Sequence, residues 1–213
     1  MTQNHAVVNG STSIVSRPDT ASDDTHIATI LTFLQFLYRS FIRRGLVGYA
    51  EIALVNPDDK SGSFQSKWHK LATGGDLLTF AKRLHEANKY ALSDQRLNVY
   101  VSHTLYKSPN RKNPLDTDLL FIDDVQPSDA WHGYVQTSPD SGHAYMRLNK
   151  PMPTDERLAL QSSVTAVHGG DASGVNVTKI VRVPSTHNTK AKYGEPFMCR
   201  LESLSDAYST ITD

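Results

Sequence analysis

The sequence predicts an α+β domain built on an antiparallel sheet, and three features carry that expectation. Helical periodicity dominates the first half and returns in one later stretch. Short runs of β-type residues crowd the second half, and turn residues separate them at short intervals. The chain of 213 residues is long enough for one domain with a proper core, and its 38% hydrophobic and 21% charged content is ordinary for a globular protein.

Residues 1–25 are rich in Ser, Thr, Asn and Asp, and bury too little apolar surface to offset the entropy of ordering. They are expected to form a mobile tail, with residues 26–213 as a single domain. From Ala28 to Arg44, Ile30, Leu31, Leu34, Leu37, Tyr38 and Phe41 recur at helical spacing. Arg39, Arg43 and Arg44 gather near the end of that stretch, where the helix dipole favours cations, and Gly45 is a stop signal. Gly48 to Val55 reads as a strand followed by a polar turn. A second helix opens at Gly74–Gly75, with Asp76 as its expected N-cap. Strands are then expected at 98–102, 119–123, 133–138, 143–148, 179–183 and 197–201, interrupted by a helix over 156–169.

Several function classes drop out. No apolar run reaches the roughly 18 residues that span a bilayer, and the N-terminus lacks the pattern of a secretory signal, so a cytoplasmic protein away from membranes is expected. Cys199 is the only cysteine, which excludes an internal disulfide and a cysteine-rich zinc site. The formal net charge is zero, so any grip on nucleic acid must come from local patches.

Three stretches could carry chemistry. LLFIDDV is an apolar strand ending in Asp123 and Asp124. Neighbours on a regular strand point to opposite faces, so only a bend or bulge turns both toward one cation; otherwise one caps the turn and the other is solvated. VQTSPDSGHAYMRL is a hairpin whose tip carries Ser138 and Ser141, with His143 at the start of the return strand. The third stretch sets Asp171 behind two glycines, then runs through Arg182 to Lys190 and Lys192. From Asn176 to Arg200 it holds five Lys or Arg and one Glu, a local basic surface suited to phosphates or simply a solvated loop. A second basic loop carries Lys107, Arg111 and Lys112.

The order of these stretches resembles the archaeo-eukaryotic primase superfamily, and most of all the plasmid and phage RepB-like primases and primase-polymerases. The resemblance rests on LLFIDDV, the VQTSPDSGHAYMRL hairpin and VTKIVRVPSTHNTKAKYGEP, and covers roughly Asn98 to Leu201. It implies an RRM-like antiparallel sheet core with flanking helices. It also implies a primer-making nucleotidyl transferase that uses Mg²⁺ or Mn²⁺, a single-stranded DNA template and NTP or dNTP. Asp123 or Asp124, with Asp171, would hold the metals. Ser141 and His143 match the small-x-His motif that contacts the triphosphate. Arg182, Lys190 and Lys192 match the basic third motif, and Lys107, Arg111 and Lys112 are expected on DNA.

Two departures stand out. The family's acidic motif is commonly Asp-x-Asp, a spacing found here only at Asp116 and Asp118, before the apolar strand; and Ser185 stands where the family often has Gly. The imperfect acidic motif keeps open a primase-like module that binds DNA without catalysis, and an unrelated nuclease or phosphotransferase is a further alternative. No P-loop pattern occurs, so a helicase would have to come from another chain or a missing segment.

Overall fold

Helix α1 spans Asp23–Arg43 and begins inside the segment expected as tail. Ser22 caps it by accepting from the Thr25 N–H, while Asp23 and Asp24 occupy the first turn, where the dipole favours anions. The polar residues that looked too hydrophilic to order are therefore the start signal of the helix. The computed structural model describes residues 21–59, 64–94 and 97–206, so most of the expected tail lies outside the described residues.

Strands β1 (Gly48–Val55) and β2 (Phe64–Leu71) pair antiparallel, with Glu51 opposite Trp68. No strand was expected at β2, because it forms a sheet edge and most of its side chains are exposed, so the apolar alternation is missing. Helix α2 (Gly74–Asp94) follows. Asp76 lies within its first turn rather than at the cap, and Oδ2 reaches back to accept from the Ala72 and Thr73 N–H groups, both at 2.8 Å. Then come β3 (Asn98–Ser102), β4 (Thr117–Val125), β5 (Gly133–Gln136), β6 (Gly142–Met152), α3 (Thr154–Val167) and β7 (Ile180–Arg182). The chain closes with β8 (His187–Asn188), β9 (Phe197–Met198) and β10 (Arg200–Leu204).

The antiparallel strands are divided between two four-stranded sheets, ordered β2-β1-β3-β7 and β10-β5-β6-β4, and a ribbon of β8 and β9. The run expected as one strand over 197–201 is shared: Met198 pairs with His187, and Arg200 pairs with Gln136. One apolar core joins both sheets to α1 and α2, and includes Phe33, Leu37, Phe80, Val101, Phe121 and Tyr145. Phe33 and Phe36 of α1 meet the Tyr145 ring edge-on at 5.7 and 6.0 Å, which ties the helix to the second sheet. A smaller cluster, including Leu120, Ile122 and Trp131, lies on that sheet's other face with Leu160 and Val164 of α3 packed against it. The free ends of β4 and β7 consequently meet at one cavity.

Candidate active site

The ladder between β4 and β6 slips just where the acidic pair lies. Ile122 pairs with Ala144 and Val125 with Gly142, so Asp123 and Asp124 together oppose His143 alone. This bulge places Asp124 in the left-handed region at φ 58°, a conformation that Asp tolerates better than most residues. Both side chains line one cavity of about 610 Å³, an arrangement that regular pleating forbids.

Asp123 is held on both oxygens. His143 Nε2 lies 3.2 Å from Oδ1, and Lys179 Nζ lies 2.8 Å from Oδ2. The Arg182 backbone N–H donates to His143 Nδ1 at 3.3 Å, which makes Nε2 the protonated nitrogen and the donor to Asp123. Burial pushes the His143 imidazole down, against the pull of the Asp123 carboxylate, so the ring is neutral at pH 7. Burial pushes the Asp123 carboxyl up, but the His143 hydrogen bond and the charge of Lys179 outweigh it and hold the group well below the usual carboxylate range. The edge of the Phe121 ring pair fixes the imidazole further, with centroids 5.0 Å apart.

The hairpin tip is a closed hydroxyl clamp. Ser138 Oγ accepts from the Ser141 N–H at 3.1 Å, and the Ser141 hydroxyl donates to Asp124 Oδ1. Asp171 caps the short 3₁₀ turn Ala172–Gly174, accepting from Ser173 N–H at 2.8 Å and Ser173 Oγ at 2.6 Å, and these bonds lower its carboxyl. Its own N–H donates to the Asp123 carbonyl at 2.9 Å. The glycines around it allow this approach: a Cβ on Gly170 would stand 2.9 Å from the Asp123 carbonyl oxygen.

Cations line the same cavity and form its second wall. Arg182, 4% exposed, lies over the Tyr100 ring at 4.7 Å, and its buried Nη1 has no hydrogen-bond partner among the described residues. Lys190 and Lys192 are exposed and line the same cavity, Lys192 resting over Tyr193 at 4.9 Å. An unpartnered buried guanidinium donor costs free energy until an acceptor meets it, and the charge of this lining favours an anion.

All eight residues expected in the site therefore converge on one cavity: Asp123, Asp124, Ser141, His143, Asp171, Arg182, Lys190 and Lys192. The second basic loop does not join them. Arg111 is engaged by Glu51, which is 1% exposed, with Nε 2.6 Å from Oε2 and Nη2 2.9 Å from Oε1; Lys107 and Lys112 stay exposed nearby. Asp118 of the spaced acidic pair binds Arg147 at 2.8 Å, away from the cavity. Lys179 and Tyr100 went unrecognised in the sequence. Lys179 and Arg182 are three apart, a spacing that puts them on opposite faces of a regular strand. Because β7 begins only at Ile180, Lys179 is free to turn to Asp123.

The fold defined by these sheets is that of the archaeo-eukaryotic primase catalytic domains. The chain superimposes on the catalytic domain of primase RepB′, solved in complex with initiator DNA, with TM-score 0.60, 13% identity, and 85% and 88% of the two chains covered. It matches the primase-polymerase domain of cyanophage S-2L with TM-score 0.59 and 14% identity over 86% and 92%. A longer RepB′ structure gives 0.58 and 14%, with 83% of this chain covering 58% of that one. No family model matches the sequence, and no curated protein does so either.

The donor set bears on a divalent metal. Among the described residues no three His, Cys, Asp or Glu side chains stand close enough to cage an ion. Mg²⁺ seldom uses such a cage; one or two carboxylates and the substrate's own phosphates hold it. Asp123, Asp124 and Asp171, all oxygen donors lining one cavity, fit an ion of that kind.

Proposed function

We propose that the chain is a primase or primase-polymerase catalytic domain that joins nucleotides on a single-stranded DNA template in replication of a plasmid, phage or mobile element. One observation carries this reading: a bulge turns two adjacent carboxylates into a cavity whose other wall offers a buried, unpartnered Arg182 donor. Asp123, Asp124 and Asp171 would hold Mg²⁺ or Mn²⁺, which when bound lowers the pKa of an attacking hydroxyl and neutralises a leaving pyrophosphate. Arg182, Lys190 and Lys192 take the charge of an NTP or dNTP triphosphate. His143 and Ser141, expected on the triphosphate, are given a different part here because their polar atoms are already engaged. Neutral His143 keeps Asp123 oriented through Nε2–H, and Ser141 does the same for Asp124.

Lys107 and Lys112 are proposed to follow the template backbone. Their loop meets Trp68 of the edge strand through Tyr106, at 5.5 Å between ring centroids, and an aromatic beside exposed lysines suits a single strand. Unwinding is assigned in this reading to a helicase on another chain or on a missing segment, and the site of action to the cytoplasm. Among the described residues no helix is long and apolar enough to cross a membrane.

Incubation with a primed template, labelled nucleotides and Mn²⁺ should yield extended product that chelator abolishes. Asp123→Ala and Asp171→Ala should each reduce synthesis by roughly a thousandfold with the fold intact. Full synthesis in both variants would overturn the mechanism, and shortening of the labelled strand would mark a nuclease instead. The imperfect acidic motif favours a second reading, a module that grips DNA without catalysis. Its signature is DNA binding that persists in chelator with no synthesis under any condition.

A further inference from the structure

Three buried side chains hold one short stretch of backbone behind the acidic wall. Gln161 of α3 donates from Nε2 to the Gly174 carbonyl at 3.3 Å, the Tyr106 hydroxyl donates to the Val177 carbonyl at 3.0 Å, and His103 donates from Nδ1 to the Lys179 carbonyl at 2.8 Å. All three donors are 0% exposed. Burial pushes the His103 imidazole down to about 3, so it is a neutral donor at any working pH. Gln161 is itself oriented from behind: Arg157, 1% exposed, donates from Nη1 to its Oε1 at 3.0 Å, which points the amide nitrogen at Gly174.

The other side of the same stretch meets Asp123 at three points. The Asp171 N–H donates to the Asp123 carbonyl at 2.9 Å, and Lys179 Nζ lies 2.8 Å from Oδ2. Between them Gly174 packs so closely that an added Cβ would stand 2.8 Å from the Asp123 Cβ. A buried arginine with no carboxylate partner among the described residues is costly, and packed apolar residues would serve stability alone better. Here its geometric effect is specific, since it aims one amide at the backbone that backs Asp123.

We infer that Gln161, Tyr106 and His103 are positioning residues that fix segment 171–179, so that Asp171 and Lys179 are presented to Asp123 in one geometry. This role rests on the proposed nucleotidyl transfer, but its first readouts do not need it. Tyr106→Phe removes a single oxygen, and Gln161→Leu removes the amide at similar volume. In both variants, amide hydrogen exchange across 171–179 should quicken while that of α1 stays unchanged. Titration with Mn²⁺ alone should show binding weakened by roughly tenfold, and kcat for nucleotide addition should fall by roughly tenfold with nucleotide KM within about twofold. Should Gln161→Leu not fold, Tyr106→Phe decides alone. Unchanged exchange, or quickened exchange with wild-type Mn²⁺ affinity and kcat, would overturn the positioning role. Wild-type protein that takes up Mn²⁺ but joins no nucleotides would overturn the proposed function and leave the positioning to the exchange and Mn²⁺ results.

Discussion

The two four-stranded sheets bring opposite chemistry to the same cavity. From the sheet β10-β5-β6-β4 come Asp123 and Asp124, set by a bulge at the end of β4, with His143 facing them. From β2-β1-β3-β7 come Arg182 and the Tyr100 ring beneath it. The acidic wall has its hydrogen bonds already made, through His143, Lys179 and Ser141, whereas the cationic wall has a buried donor left over. The difference is one of readiness: one wall is pre-set in geometry, and the other keeps a donor open.

The largest expected effects test that division. Asp123→Asn should lower kcat by a thousandfold or so with nucleotide KM little changed, whereas Arg182→Ala should raise nucleotide KM by roughly 10- to 100-fold, the worth of one charged hydrogen bond. Steady-state kinetics in Mn²⁺ separate the two, and equal effects on both parameters would erase the distinction between walls.

The first sheet holds a buried carboxylate of its own, but a paired one. Arg111→Ala should cost about 3–5 kcal/mol in urea unfolding, because it strands Glu51. Lys107→Ala and Lys112→Ala should leave stability within about 0.5 kcal/mol and lower the salt dependence of single-strand binding.

Acid should reach His103 and Asp123 in different windows. His103, just past β3, has a folded pKa near 3 against 6.5 when unfolded; its contribution is full above pH 6.5 and is lost as pH falls toward 3. Asp123 has a folded pKa below 3.8, so its contribution is full above about 4 and is lost only below that. Urea midpoints across pH should therefore flatten between 6.5 and 4 in His103→Leu and below 4 in Asp123→Asn.

The smallest effect concerns backbone strain. Asp124 at φ 58° and Ser185 at φ 60° are the non-glycine residues with positive φ among those described. Replacing either with Gly should gain up to about 1 kcal/mol in thermal or urea unfolding, but only Asp124→Gly should lose synthesis. Ser185 shows how the loop keeps its shape without the expected glycine, since its N–H still donates to the Cys199 carbonyl at 2.8 Å.

Much of this could be read from residue order. Periodicity located α1, α2 and α3, and apolar runs located β1, β3, β4, β5 and β6, because each buries one face. Edge strand β2 escaped, since an exposed edge has no face to hide. The division into two sheets escaped as well, because pairing is set by contacts distant in sequence, such as Tyr100 with Arg182. In the site, residue types and loops were legible, while Lys179 and Tyr100 were not. Their roles depend on where a strand starts and on which strand lies beside it.

The bulge has a genetic consequence. Two residues face one across it, so loss of a single codon for either aspartate would close the ladder, with Val125 still opposite Gly142. Such a chain keeps every pairing that builds the sheet and forfeits the convergence of two carboxylates. The sheet would survive that deletion, and the loss would show only in the partners left behind: His143 and Lys179 without Asp123, or Ser141 without Asp124.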